Sequence, residues 1–245
     1  FAVTDTTVYG VNKSAATYVS WSFKKQTKFF DIVTYTGNST ARAISHNLGC
    51  EVGSIFIKRV TTGNEWVVYH RSMANNEALT LNTTDAKLSP RTFFDNTTPT
   101  STEFYLSAGD SAVNNSGDTY VAYLFAHDTA SDGLIQCGSF TTDGSGAATV
   151  SDIGWQPQWI LSKSSTSSAD DWEVLDTTRG WSTSGGAKLA PNTSNQEYAT
   201  YYGANTAYPT PQGFINNALY SNQTYIYMAI RAAAAPAITW PTNIE

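Results

Sequence analysis

The sequence predicts an all-β protein, two tandem β-sandwich, jelly-roll-like modules related by an internal repeat of about 105 residues. Three observations carry that reading. A strand-like stretch, Thr119-Tyr120-Val121-Ala122-Tyr123-Leu124-Phe125, recurs as Thr17-Tyr18-Val19-Ser20-Trp21-Ser22-Phe23 and as Thr224-Tyr225-Ile226-Tyr227-Met228-Ala229-Ile230; Tyr18, Tyr120 and Tyr225 lie 102 and 105 residues apart. Short β-branched and aromatic runs are bounded by Asn, Ser and Gly clusters, as strands are. No window holds apolar residues at helical spacing over a dozen positions.

Along the chain, residues 1–23 read as the last strands of a repeat whose beginning is missing, and the chain as a mature fragment or a piece of something longer. Lys24-Lys25-Gln26-Thr27-Lys28 is a polar joint. The first module, residues 24–128, opens with alternating Phe30, Ile32 and Thr34, a half-buried strand. Gly37-Asn38 turns the chain. Gly53–Arg59 and Glu65–His70 then flank Thr61-Thr62-Gly63-Asn64 as a hairpin. Further strands are expected at Ala78–Asn82, Thr92–Asp95, Glu103–Leu106 and Thr119–Phe125.

The second module, residues 129–245, repeats this order. Ile153-Gly154 stands for Leu48-Gly49 and Trp159–Lys163 for Ser54–Lys58 at a shift of 105, while Trp172 stands for Trp66 at 106. The nearest helical candidate, Ile230–Ala235, is too short to be stable alone and is ended by Pro236.

Composition narrows function by exclusion. Charged residues make up 14% and aromatics 13%, too many rings for a disordered chain of this polarity. Net charge is −6 and no basic run exceeds Lys24-Lys25, so no nucleic-acid partner is expected. No apolar run approaches the roughly 20 residues that span a bilayer, so no membrane is expected. Cys50 and Cys137 occupy different places in the repeat and read as two buried free thiols.

The quoted motifs carry a resemblance. Tyr35-Thr36-Gly37-Asn38, Leu48-Gly49, Ile55–Lys58, Gly63-Asn64-Glu65-Trp66 and Thr119–Tyr123 resemble a tandem-repeat family of uncharacterised proteins from tailed, notably marine, phages. The resemblance covers nearly the whole chain and is better in the first module. It implies concanavalin-A- or laminin-G-like sandwiches in a virion or tail-fibre component, partnered by other virion subunits in a homo-oligomer. It supplies no catalytic residues and no cofactor.

Residues shared by the two copies are explained by the common fold, whereas a site is grafted where one copy differs. Trp66 and Trp172 are shared and read as core. Trp181, in the glycine-rich Arg179–Gly186 loop, has no counterpart, and Tyr198, Tyr201, Tyr202 and Tyr208 fill a loop-like stretch unique to the second copy. Aromatic faces on loops above a rigid sandwich suit glycan or protein contacts, or packing on a neighbouring subunit. His46, His70 and His127 are too far apart in sequence to seed a metal site. Asp170, Asp171, Glu173 and Asp176 form the one acidic cluster. Asp170 and Asp171 suit a turn, capping backbone amides, and Glu173 and Asp176 point to opposite faces of a strand. A polysaccharide depolymerase needs two carboxylates across a cleft, and the sequence offers no such pair.

The expected protein is therefore a non-enzymatic virion component, a tail fibre, tail-associated protein or capsid decoration, that touches a host-surface glycan or protein. The alternative is a lectin-like module of a secreted bacterial protein. Residues 1–23 are expected to pair as strands with residues 29–125 or with another subunit.

Overall fold

The computed structural model describes residues 17–232. Within them the chain is all-β, with every ladder antiparallel. Among the described residues there is no α-helix, only a 3-10 turn at Thr177–Arg179. The first half contributes β1 (Phe30–Thr36), β2 (Arg42–Ser45), β3 (Val52–Arg59), β4 (Trp66–His70), β5 (Leu79–Thr80), β6 (Glu103–Leu106) and β7 (Thr119–Ala126). The second contributes β8 (Ile135–Thr141), β9 (Ala148–Val150), β10 (Trp159–Ser164), β11 (Glu173–Asp176), β12 (Gly186–Lys188), β13 (Tyr198–Tyr202), β14 (Ala207–Thr210), β15 (Gly213–Asn216) and β16 (Thr224–Ile230).

One large sheet runs β1-β7-β3-β4-β5 and the other β8-β16-β10-β11, so β7 and β16 occupy matching places beside an opening strand. Smaller sheets, β2-β6 in the first half and β14-β15-β9 with β12-β13 in the second, complete the set.

The recurrent tyrosines have a common job in the two copies that lie in strands. Tyr35 stacks on its cross-strand partner Tyr120 with centroids 5.2 Å apart, and Phe140 stacks on its partner Tyr225 at 5.3 Å. The Tyr120 hydroxyl accepts from the Asn115 amide (2.9 Å), and that of Tyr225 accepts from the Tyr220 amide (3.2 Å). Each ring thus fills the core while its hydroxyl pins the turn just before the strand, as a tyrosine corner does. Gly146 meets the same turn from the other side: φ is +83°, and a side chain there would run into the Leu219 carbonyl.

The two large sheets also pack on one another, which alternation makes possible. On β3, Ile55 and Ile57 turn into the first half, whereas Phe56 faces Trp172 with ring centroids 6.5 Å apart. On β10 and β16, Trp159, Leu161, Ile226 and Met228 join the core of the first half. Their neighbours Ile160, Tyr227 and Ala229 join a second cluster with Leu175, Trp181 and Phe214. Polar bonds stitch this seam. Trp172 Nε1 donates to the Thr80 carbonyl (2.9 Å), and His70 Nε2 lies 3.0 Å from the Tyr227 carbonyl. The buried Cys137 thiol lies against Ala126 and leaves no room for a side chain at Gly53. Strands buried on both faces carry apolar runs without a polar alternation, as Ile55-Phe56-Ile57 of β3, Trp159-Ile160-Leu161 of β10 and Tyr225–Ile230 of β16 do.

Several expectations are corrected. Thr17–Phe23 forms no strand; it is held by its rings, Trp21 edge-on to Trp159 at 6.3 Å and Phe23 edge-on to Phe125 at 5.5 Å. Residues 1–16, the rest of the segment expected to pair as strands, lie outside the described residues, as do 233–235 of the helical candidate, whose Ile230 instead ends β16. Thr92–Asp95 is a turn, because Asp95 and Asn96 take positive φ while Phe93 and Phe94 are buried. Cys50 is only half-buried.

Candidate functional site

Two concavities bear on function. The first is an apolar cleft of about 420 Å³ where the large sheets splay apart, floored by Phe56, Phe125, Leu161 and Met228 and edged by Trp21 and Trp66. It lacks the convergent polar groups that would orient a ligand.

The second, about 310 Å³, is polar and belongs wholly to the second half. The chain builds it at the end of β11. Asp170 and Asp171 precede the strand and Glu173 opens it, facing the interior where Trp172 faces the seam. Lys188 closes β12, opposite Tyr198 of β13 in register. Tyr201 and Tyr202 come from β13, and Tyr220 from the turn that Tyr225 pins.

The floor is buried. Glu173 is 3% exposed, Lys188 7% and Tyr202 3%. Burial pushes the Glu173 carboxyl above the usual range, partly offset by the Lys188 charge and a hydrogen bond from Tyr202. Burial also raises Asp170, against a hydrogen bond with Tyr225. Burial would lower the Lys188 ammonium, but the charges of Glu173, Tyr201, Asp170 and Asp171 outweigh it and raise it. Asn216 Nδ2 donates to the Tyr202 hydroxyl (3.3 Å), and Asn192 Nδ2 to Asp171 Oδ1 (2.8 Å). Glu173 Oε1 is buried with no hydrogen-bond partner. Lys188 Nζ lies 4.4 Å from the centre of the Tyr201 ring. Tyr201 and Tyr220 are about half exposed, at 49% and 51%, and form the rim.

Of the aromatic candidates, the structure brings Tyr201 and Tyr202 to this pocket, with Tyr198 edge-on to Tyr201 at 5.7 Å. Tyr208 lies in β14, paired with Ile215, away from the pocket. The tyrosine stretch is strand, not loop.

Trp181 is not a loop platform. It is 1% exposed and packs on Phe214 with centroids 6.4 Å apart, because the Gly185-Gly186 turn folds the loop back over the core. Asp170 and Asp171 turn into the pocket rather than capping the turn, and Glu173 and Asp176 line different cavities, as opposite faces require. Asp176 caps the 3-10 turn by accepting from the Arg179 amide (2.9 Å) and pairs with its guanidinium (2.6 Å). Sequence reasoning missed Lys188 and Tyr220; the signal available was their lack of a counterpart in the first copy. No group of three His, Cys, Asp or Glu side chains able to hold a metal occurs among the described residues.

An antiparallel all-β chain with a polar, tyrosine-rimmed pocket defines a class of architecture and no chemistry by itself. Residues 1–234 match the family described as a domain of unknown function, DUF7483, and the chain belongs to it. No curated protein and no solved structure matches it.

Proposed function

We propose that this chain is a non-enzymatic structural component of a phage virion, a tail fibre, tail-associated protein or capsid decoration, that also meets the host surface. The observation that carries the reading is the seam: the large sheets share one core and are cross-linked by the Trp172–Thr80 and His70–Tyr227 contacts. A chain joined in that way acts as one stiff block, which suits a part that transmits load and holds loops at a distance. We take residues 24–128 and 129–245 as its two sandwiches and copies of itself and other virion subunits as its partners. The low content of charged residues, and the resemblance of Tyr35–Asn38 and Gly63–Trp66 to motifs of a tailed-phage family, support the same reading.

Particles purified by density gradient from lysates that contain this sequence test it. The chain is expected to co-sediment with intact particles at a fixed ratio to the capsid protein, measured by quantitative mass spectrometry. Its recovery only in the particle-free fractions would overturn the reading.

A further inference from the structure

We propose that the pocket bounded by Glu173, Lys188, Tyr201 and Tyr220 binds a neutral, hydroxyl-rich sugar unit, as at the end of a surface glycan. The site does not depend on where the chain is displayed; it gives the host-surface contact a ligand class if the virion reading holds and stands without it.

The ligand class follows from which groups lack partners. Glu173 Oε1 is a buried acceptor with no donor. Lys188 is nearly as deeply buried, and no ion pair within 4.0 Å joins it to a carboxylate among the described residues; its ammonium rests against the Tyr201 ring. An acceptor and a donor thus share one cavity without meeting. A hydroxyl group donates and accepts at once, so it satisfies both where a simple cation or anion satisfies one. Asp170 and Asp171 add further acceptors for neighbouring hydroxyls. Three carboxylates against one ammonium disfavour an acidic sugar. The carboxylates form no group of three able to hold a metal ion among the described residues. The rim supplies the remaining need: Tyr201 and Tyr220, each about half exposed, offer an apolar wall for the C–H face of a pyranose. The volume of about 310 Å³ suits one sugar ring with a few waters.

The test uses the whole chain, titrated by isothermal calorimetry and ligand-observed NMR with methyl glycosides of glucose, galactose, mannose and N-acetylglucosamine, each to about 50 mM, and with sialyllactose. At least one neutral glycoside is expected to bind with a dissociation constant of the order of a millimolar, and more tightly than sialyllactose. Tyr220→Ala, an exposed rim change, and Glu173→Gln, which keeps shape but removes the charged acceptor, are each expected to weaken that binding about tenfold or more. Tyr220→Ala should leave the melting temperature unchanged, so its loss of binding cannot be ascribed to unfolding. No binding by any of the four neutral glycosides, preference for sialyllactose, or binding indifferent to Tyr220→Ala would each overturn the site. None of these results touches the particle co-sedimentation that tests the virion reading.

Discussion

Trp172→Ala is expected to cost roughly 3–5 kcal/mol of stability. Two losses coincide there. The indole is 2% exposed and packs between the large sheets against Phe56, so truncation opens a cavity the surrounding strands cannot close. It also leaves the Thr80 carbonyl without the 2.9 Å bond it accepts from Nε1. Trp66, its counterpart in the first copy, is only half-buried, lying at the apolar cleft against Tyr123 and Lys58. Trp66→Ala should therefore cost about 1–2 kcal/mol. Urea titrations of the two variants decide the matter. Equal midpoints for the two would mean that the sheets do not depend on each other through Trp172.

Acid is expected to weaken the same seam through His70. The ring is fully buried, accepts from the Ser72 amide at Nδ1 (3.2 Å) and so donates from Nε2 to the Tyr227 carbonyl. Both nitrogens are committed in the neutral form, and a proton on Nδ1 would face an N–H. Burial accordingly lowers its pKa from 6.5 to about 4, with the Tyr227 bond acting weakly the other way. Between those values the unfolded chain holds a proton that the folded chain refuses. Stability is therefore intact above pH 6.5 and falls as pH drops towards 4, by roughly 3 kcal/mol in total. His46 and His127 are lowered by burial too and pull in the same direction. Asp170 and Glu173 are raised and pull the other way, since their protonated forms are favoured in the fold. The His70 share is isolated by His70→Gln, whose unfolding free energy should change less than that of the wild type between about pH 7 and about pH 5. Parallel pH profiles would assign the acid sensitivity elsewhere.

The sequence made some of this architecture readable and hid the rest for identifiable reasons. β1, β3, β4, β7, β10 and β16 are legible because their aromatic and β-branched runs lie between turn clusters, and the shift of 105 pairs Ser54–Lys58 with Trp159–Lys163. The seam is not legible, since a strand buried on both faces carries no polar face to show which side meets which partner. Lys163 hides for a related reason. It looks like an exposed strand end, yet it is fully buried with Nζ donating to the Ser164 and Ser167 carbonyls (2.7 and 3.2 Å), and burial lowers it to about 8. Loop aromatics look available in one dimension; only the fold shows that Gly185 and Gly186 return Trp181 to the core while Tyr201 stays out. Among the acidic residues, strand alternation separates Glu173 from Asp176 correctly, but the partner that completes the pocket, Lys188, is fifteen residues further on.

The position of Cys137 makes the chain its own clock. Its thiol is sealed where β8 meets Gly53 and Ala126, and burial drives its ionisation well out of the usual range, so in the closed form it is neither reachable nor a thiolate. Cys50, half-buried and raised to about 11, is the other free thiol and the partly accessible one. A thiol reagent will therefore modify Cys137 only during excursions that part the two halves. In a Cys50→Ser chain, at reagent concentrations where modification outpaces reclosing, the modification rate equals the opening rate and gives the lifetime of the closed block without denaturant.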